Sequence, residues 1–258
     1  MIELLNMQKF FSYERRIQML KAIFFDLDGT LLPMDYDDFC KMYFSMLTDK
    51  LSERGYPPKE ITEAVWSGTK AMLQNDGSKT NEKVFWIDFE KHFGKLSLSD
   101  RSAFDEFYRN DFNKISTICS LNPSAKDIIK TVKSLGFISV LATNPVFPSI
   151  ATENRIRWAG LLPSDFVYYT TYENSSFCKP KPEYYYEILD KLSLSPNECA
   201  MIGNDVDDDM PAAAIGMKVF LLTDCLINRS EKNISIYPHG DWKQLKSFIF
   251  SLKSESYN

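Results

Sequence analysis

Lys21-Ala22-Ile23-Phe24-Phe25-Asp26-Leu27-Asp28-Gly29-Thr30-Leu31-Leu32 decides the reading of this chain. Residues 21–25 are a short apolar run of the length and bulk of a fully buried strand, and the Asp-Gly pair just beyond breaks it. Asp26 therefore stands at a strand end. Side chains alternate along extended backbone, so Asp26 and Asp28 face one way while Leu27 points into the packing. Two carboxylates this close cannot both ionise cheaply. Without a cation beside them one is expected to hold a proton, which lets a nucleophile and a general acid coexist at neutral pH. A solvated turn is the plainer reading, since Asp, Gly and Thr are ordinary turn residues.

The rest of the chain weighs against that plainer reading. From Pro33 to Cys119 the spacing predicts helices over 35–55, 59–73, 81–93 and 99–112, with a polar loop at 75–78 and no strand. Beyond Asn122-Pro123 the rhythm becomes helix and strand in turn: strands at 137–142, 165–169, 199–202 and 218–222, helices at 125–135, 150–159, 183–192, 210–215 and 241–252. Such alternation implies right-handed crossovers, a parallel sheet, and a ligand site at the carboxyl ends of its strands. The expected fold class is thus α/β, a Rossmann-like parallel sheet with helices on both faces plus an all-helical insertion.

Three expected strands end in polar residues suited to phosphate or metal: Asp26 and Asp28, then Thr143 and Asn144, then Gly203-Asn204-Asp205-Val206-Asp207-Asp208-Asp209. A separate loop carries Lys179-Pro180-Lys181-Pro182. An EF-hand reading of the acidic run fails, because Met210 replaces the required glycine and Gly216 stands where the bidentate glutamate belongs. No Gly-x-Ser-x-Gly elbow or Walker loop is present.

The segment Asp26-Leu27-Asp28-Gly29-Thr30-Leu31 resembles the nucleophile motif of the haloacid dehalogenase superfamily of phosphohydrolases, and the other stretches follow in that superfamily's order. The resemblance spans about residues 19–245. It implies that Asp26 attacks phosphorus and Asp28 is the acid and base. Thr143 would bind the phosphoryl group with Asn144 nearby, and Lys179 would neutralise nucleophile and phosphoryl oxygens. It further implies a core of residues 19–33 and 120–258, a helical cap over 34–119, and an N-terminal extension at 1–18. The activity implied is a phosphatase acting on a small phosphorylated metabolite. A mutase or other phosphotransferase, or a catalytically silent binding protein, are the alternatives; the intact set Asp26, Asp28, Thr143 and Lys179 argues against silence.

A phosphate dianion repels a carboxylate nucleophile, so the cofactor expected is Mg²⁺, which prefers hard oxygen ligands. Asp26, Asp28 and Asp205 are its candidate ligands, with Asn204 and Asp209 behind them; Asp207 and Asp208 are expected at the solvent, as is Lys181. The superfamily's pattern there begins Gly-Asp, whereas this chain has Gly203-Asn204-Asp205.

Composition bounds the partners. The chain has 258 residues, 44% of them apolar, and a net charge of −5 with the signs interspersed, so no basic stripe invites nucleic acid. No run reaches the roughly 18 apolar residues of a membrane span. Five scattered cysteines without a Cys-x-x-Cys pair fit a reducing cytoplasm. Met34, Asp35 and Tyr36 follow the first motif closely enough to border the site, and helical residues such as Trp66, Lys70, Trp86 and Arg109 could reach it, although an aromatic at helical spacing is more often core.

Overall fold

The computed structural model describes residues 19–94 and 98–255; the expectation for residues 1–18 lies outside them. Six parallel strands, β1 (Ala22–Phe25), β2 (Ile138–Leu141), β3 (Tyr168–Tyr169), β4 (Cys199–Gly203), β5 (Lys218–Leu222) and β6 (His239–Gly240), stand in the order β3-β2-β1-β4-β5-β6. Central β1 pairs with β2 and β4 through the register Phe25↔Leu141 and Phe25↔Ile202. These strands therefore end at one level, and the residues following them share one edge.

Alternation assigns the two faces. Ile23 and Phe25 point toward helices α5 (Pro123–Ser134) and α8 (Trp242–Glu255), where Ile128, Val132, Leu245 and Ile249 are buried against them. Ala22 and Phe24 point the other way, onto Tyr184, Tyr185 and Ile188 of α7 (Pro182–Leu192). Strands buried on both faces read as continuous apolar runs, as β1 and β4 do.

Between β1 and β2 the described chain is helical: α1 (Tyr36–Ser52), α2 (Pro58–Leu73), α3 (Asn81–Phe93) and α4 (Leu98–Glu106). Asp35 caps α1 by accepting from the Asp38 N–H at 2.9 Å, and Pro58 opens α2 where its missing N–H costs nothing. These helices share their own apolar cluster, built on Phe39, Leu47, Ile61, Phe89 and Phe112 and joined by Val146 and Phe147 from the loop after β2. Polar ties reinforce the junction. The first amides of α3 donate to the sheet-side loops, Asn81 N to Ser175 O and Glu82 N to Tyr172 O, both at 2.8 Å.

Several expected elements differ in the structure. The helix foreseen over 99–112 ends at Glu106 and widens into a π turn (Phe107–Asp111) and a 3₁₀ stretch (Phe112–Ile118). Phe107, Tyr108 and Phe112 are all buried along this stretch of altered pitch. The strand foreseen at 165–169 shrinks to two residues, because Asp165 accepts from the Leu162 N–H at 2.9 Å and closes a 3₁₀ turn there. Residues 210–215 also form a 3₁₀ helix. β6 was not foreseen, being two residues without a pattern. α6 (Ser149–Trp158) follows the loop after β2.

Candidate active site

Asp26 leaves β1 with its N–H donated to Ile202 O at 2.9 Å, so its side chain emerges at the sheet edge. Oδ1 accepts from Lys179 Nζ at 2.8 Å, and Oδ2 from the Thr30 hydroxyl at 3.3 Å. The turn after it depends on glycine: Gly29 has φ +81°, and a Cβ there would meet Asn204 Nδ2 at 2.3 Å. Asn204 is consequently a wall. It accepts from the Thr30 hydroxyl at 2.8 Å and donates to Cys225 O at 2.7 Å.

Lys179 is 3% exposed and bridges two carboxylates, Asp26 Oδ1 and, at 2.6 Å, Asp209 Oδ1. Asp209 Oδ2 accepts from the Asp205 N–H at 3.0 Å, lying against Gly203, where a Cβ would come within 2.0 Å of it. Burial drives the Asp209 carboxyl up to about 7 against the pull of Lys179, while the two carboxylates, outweighing burial, raise Lys179 well above its ordinary value and keep it cationic.

Asp28 behaves as the close pair of carboxylates predicts. Burial raises its pKa, opposed by Arg155, and the charge of Asp26 raises it further. Its Oδ2 is held by the guanidinium of Arg155, a residue 1% exposed on α6, whereas Oδ1 is buried without a hydrogen-bond partner. Thr143 and Asn144 end β2 on the same edge. Thr143 is fixed through its carbonyl, which accepts from Tyr184 OH at 2.9 Å and the Thr170 hydroxyl at 2.6 Å; the Asn144 Oδ1 is buried and unpartnered. A cavity of about 140 Å³ opens above Asp26, Asp28, Thr143, Asn144, Lys179 and Asp208. The structure thus gathers the four separate stretches around one hollow.

The acidic run is arranged differently from the expectation. Asp205 accepts with Oδ1 from the N–H groups of Asp207 (2.8 Å) and Asp208 (3.1 Å), and with Oδ2 from Arg229 at 2.9 Å. Both of its oxygens are engaged. Asp208, expected at the solvent, instead lines the cavity, and burial raises its pKa, with Asp205 adding to the effect. It takes part in none of the ion pairs that hold Asp205, Asp207 and Asp209. Asp207 faces outward and pairs with Lys232 at 2.7 Å. Lys181, also expected at the solvent, is half-buried and donates to Asn75 O at 2.6 Å, tying the helical unit to the loop that carries Lys179.

Among the described residues no three acidic, histidine or cysteine side chains form a ready-made metal cage. Mg²⁺ seldom needs one, because it keeps several waters and takes one or two carboxylates plus a substrate phosphate. The donor set suits that ion: the carboxylates of Asp26 and Asp208 border one cavity with Asp28 beside them.

Met34 and Tyr36 line this cavity, and Asp35 lies in the adjoining outer cleft. Trp66 and Trp86 line a neighbouring aromatic cavity, whereas Lys70 and Arg109 are exposed and border neither. Arg155 and Arg229 escaped the sequence reading. Arg155 had little signal, since the buried face it shares with Ala151 and Ile156 also carries the polar Thr152. Arg229 had none; it comes to the site through the bridge that joins Asp205 to Ile227.

A family model described as haloacid dehalogenase-like hydrolase matches residues 20–216. The chain is 28% identical over 213 residues to a phosphoglycolate phosphatase of Vibrio cholerae, covering 80% of this chain and 86% of that protein. A protein of the same description from Vibrio vulnificus is 27% identical over 206 residues, covering 80% and 85%. Among solved structures, a phosphatase of Thermococcus onnurineus superposes with a TM-score of 0.56 at 19% identity, over 89% of this chain and 98% of that one. A 2-haloacid dehalogenase of Pseudomonas syringae pv. Tomato gives 0.58 at 18%, over 90% and 99%. At such identities these structures speak for the fold alone.

Proposed function

The chain belongs to the haloacid dehalogenase-like hydrolases and is a phosphatase of that family, and from that premise we propose that it hydrolyses a small phosphorylated metabolite through an aspartyl phosphate on Asp26, with Mg²⁺ as cofactor. The observation that carries the reading is Lys179, buried between Asp26 at 2.8 Å and Asp209 at 2.6 Å on the floor of a cavity that also holds Asp28. A cation so placed lowers the repulsion between the nucleophile and an incoming phosphate dianion.

Asp26 presents Oδ2, bound only by the weak 3.3 Å contact from Thr30, as the attacking atom. Thr143 and the Asn144 amide border the position of the phosphoryl oxygens. Asp28, whose burial favours the protonated form, gives a proton to the leaving oxygen and then takes one from the hydrolytic water. Arg155 orients its carboxyl toward the cavity. Asp26 and Asp208, with the main-chain carbonyl of Asp28, would hold Mg²⁺, which would supply charge neutralisation at the phosphoryl oxygens and leave the Asp28 side chain free to carry its proton. Asp205, with both oxygens engaged, supports the turn that presents Asp208. Residues 34–119 serve as the cap, and their aromatic cluster beside the cavity excludes water from the reaction.

The test is phosphate release from a panel of phosphorylated sugars, nucleotides and 2-phosphoglycolate, with and without Mg²⁺. Release that depends on Mg²⁺ is expected. Asp208→Asn should raise the Mg²⁺ concentration for half-maximal rate by about tenfold or more. Asp205→Asn should raise it less and lower the melting temperature more, because it loses the ion pair with Arg229. The reverse ranking would return Asp205 to the metal.

A further inference from the structure

Beside the catalytic cavity lies a second one of about 70 Å³, walled by Tyr43, Phe44, Trp66, Phe85, Phe104 and Tyr108. Tyr36, Phe39, Val146 and Phe147 line both, so the two hollows share a wall of four apolar or aromatic side chains. At about 70 Å³ the second hollow is about half the roughly 150 Å³ of an enclosed cavity that holds benzene, so a ring enters it by displacing the half-exposed Trp66 at its rim. Trp66 stands at its rim, 47% exposed and stacked on Phe44 with ring centroids 5.1 Å apart. A tryptophan left half in water beside an aromatic hollow has apolar surface to offer a ligand.

The charge distribution limits what that ligand is. Asp105 is the one charged residue among those lining the hollow. Arg155 sits 4.5 Å from the Phe147 ring centroid but is held by Asp28 and does not border the space. A carboxylate or second phosphate placed there would be desolvated with no cation to meet it. In the catalytic cavity the cations are Lys179, bound to two carboxylates, and Arg229, bound to Asp205. One polar feature breaks the apolar wall: the hydroxyls of Tyr43 and Tyr108 lie 2.8 Å apart and, kept neutral by burial, retain lone pairs for a polar substituent.

We infer that the alcohol esterified to the phosphate is an uncharged flat ring on a short arm, seated in this aromatic hollow while the phosphate rests on Lys179. The inference rests on the phosphatase reading above. It separates this chain from a preference for a carboxylate-bearing ester such as the one named for the Vibrio proteins.

Benzyl phosphate, glycerol 3-phosphate and 2-phosphoglycolate all release aliphatic alcohols of similar acidity, so their relative kcat/KM reports the pocket. Benzyl phosphate is expected to lead by about 10- to 100-fold. Val65→Phe, which fills the hollow from α2, should cut that lead at least tenfold, with a KM increase for benzyl phosphate. Trp66→Ala, at a half-exposed position that threatens the fold less, should cut it severalfold. A lead for either polar ester, or a ratio that neither variant moves, overturns the inference and leaves the phosphatase reading standing. Release from none of the three esters, nor from the wider panel with Mg²⁺, overturns both.

Discussion

Asp26→Asn is expected to abolish phosphate release, by about 10⁴-fold or more, while the protein keeps its fold. The amide has the shape of the carboxylate, and its oxygen still accepts from Lys179 where Oδ1 now does at 2.8 Å. What it lacks is a nucleophilic electron pair on a charged oxygen. Packing around it is unchanged, since Leu27 and Leu31 are buried independently of its charge. A circular dichroism spectrum and melting temperature near those of the wild type, with turnover lost, are the expected pair of results. Near-wild-type turnover would remove Asp26 from the reaction.

Lys179→Met is expected to cost both activity and stability. It leaves Asp26 and Asp209, 8% and 1% exposed, facing each other without a cation. Removing one partner from a buried charge network typically costs about 3–5 kcal/mol. The sign of the pH dependence follows from Asp209. Its carboxyl is already raised to about 7 by burial, and losing the lysine that opposes this raises it further. A group whose folded pKa exceeds its unfolded value near 3.8 contributes stability below that value and loses it as pH rises through the folded pKa. Without added metal, the deficit of Lys179→Met should therefore be smaller at pH 5 than at pH 8. Adding Asp209→Leu to the variant should recover much of the stability and none of the activity; a deficit independent of pH and of Asp209 would mean the cost is loss of packing.

The strand-end carboxylates, the Lys179 loop and the parallel sheet were legible because each rests on a local pattern. An apolar run broken by Asp-Gly, a periodicity of two or 3.6, and the alternation of the two identify where side chains emerge. What escaped were facts of tertiary geometry. Asp205 and Asp208 both line the cavity, and which of them keeps free oxygens depends on Arg229, which comes from 24 residues away to engage Asp205 Oδ2. The exit of Lys181 toward solvent was foreseen from the polarity of its loop, but Asn75 O from the helical unit lies within its reach. The π turn at 107–111 has no marker in the local pattern, which reads as a continuous helix through Phe112. Arg155 is a further such case. Its face carries Thr152 as well as Ala151 and Ile156, so the pattern alone does not mark it as buried, and only the fold reveals that its partner is Asp28.

The covalent path through Asp26 is tested most directly with Asp28→Asn and 4-nitrophenyl phosphate. That leaving group departs as a stable phenolate and needs no proton, so the first step proceeds without the acid, whereas hydrolysis of the aspartyl phosphate lacks its base. The account predicts a burst of nitrophenolate equal to the enzyme present, followed by a slow rate, and mass spectrometry of the acid-quenched protein should place one phosphoryl group on Asp26. Steady release without a burst and without a phosphoryl adduct, or an adduct on any other residue, would contradict it.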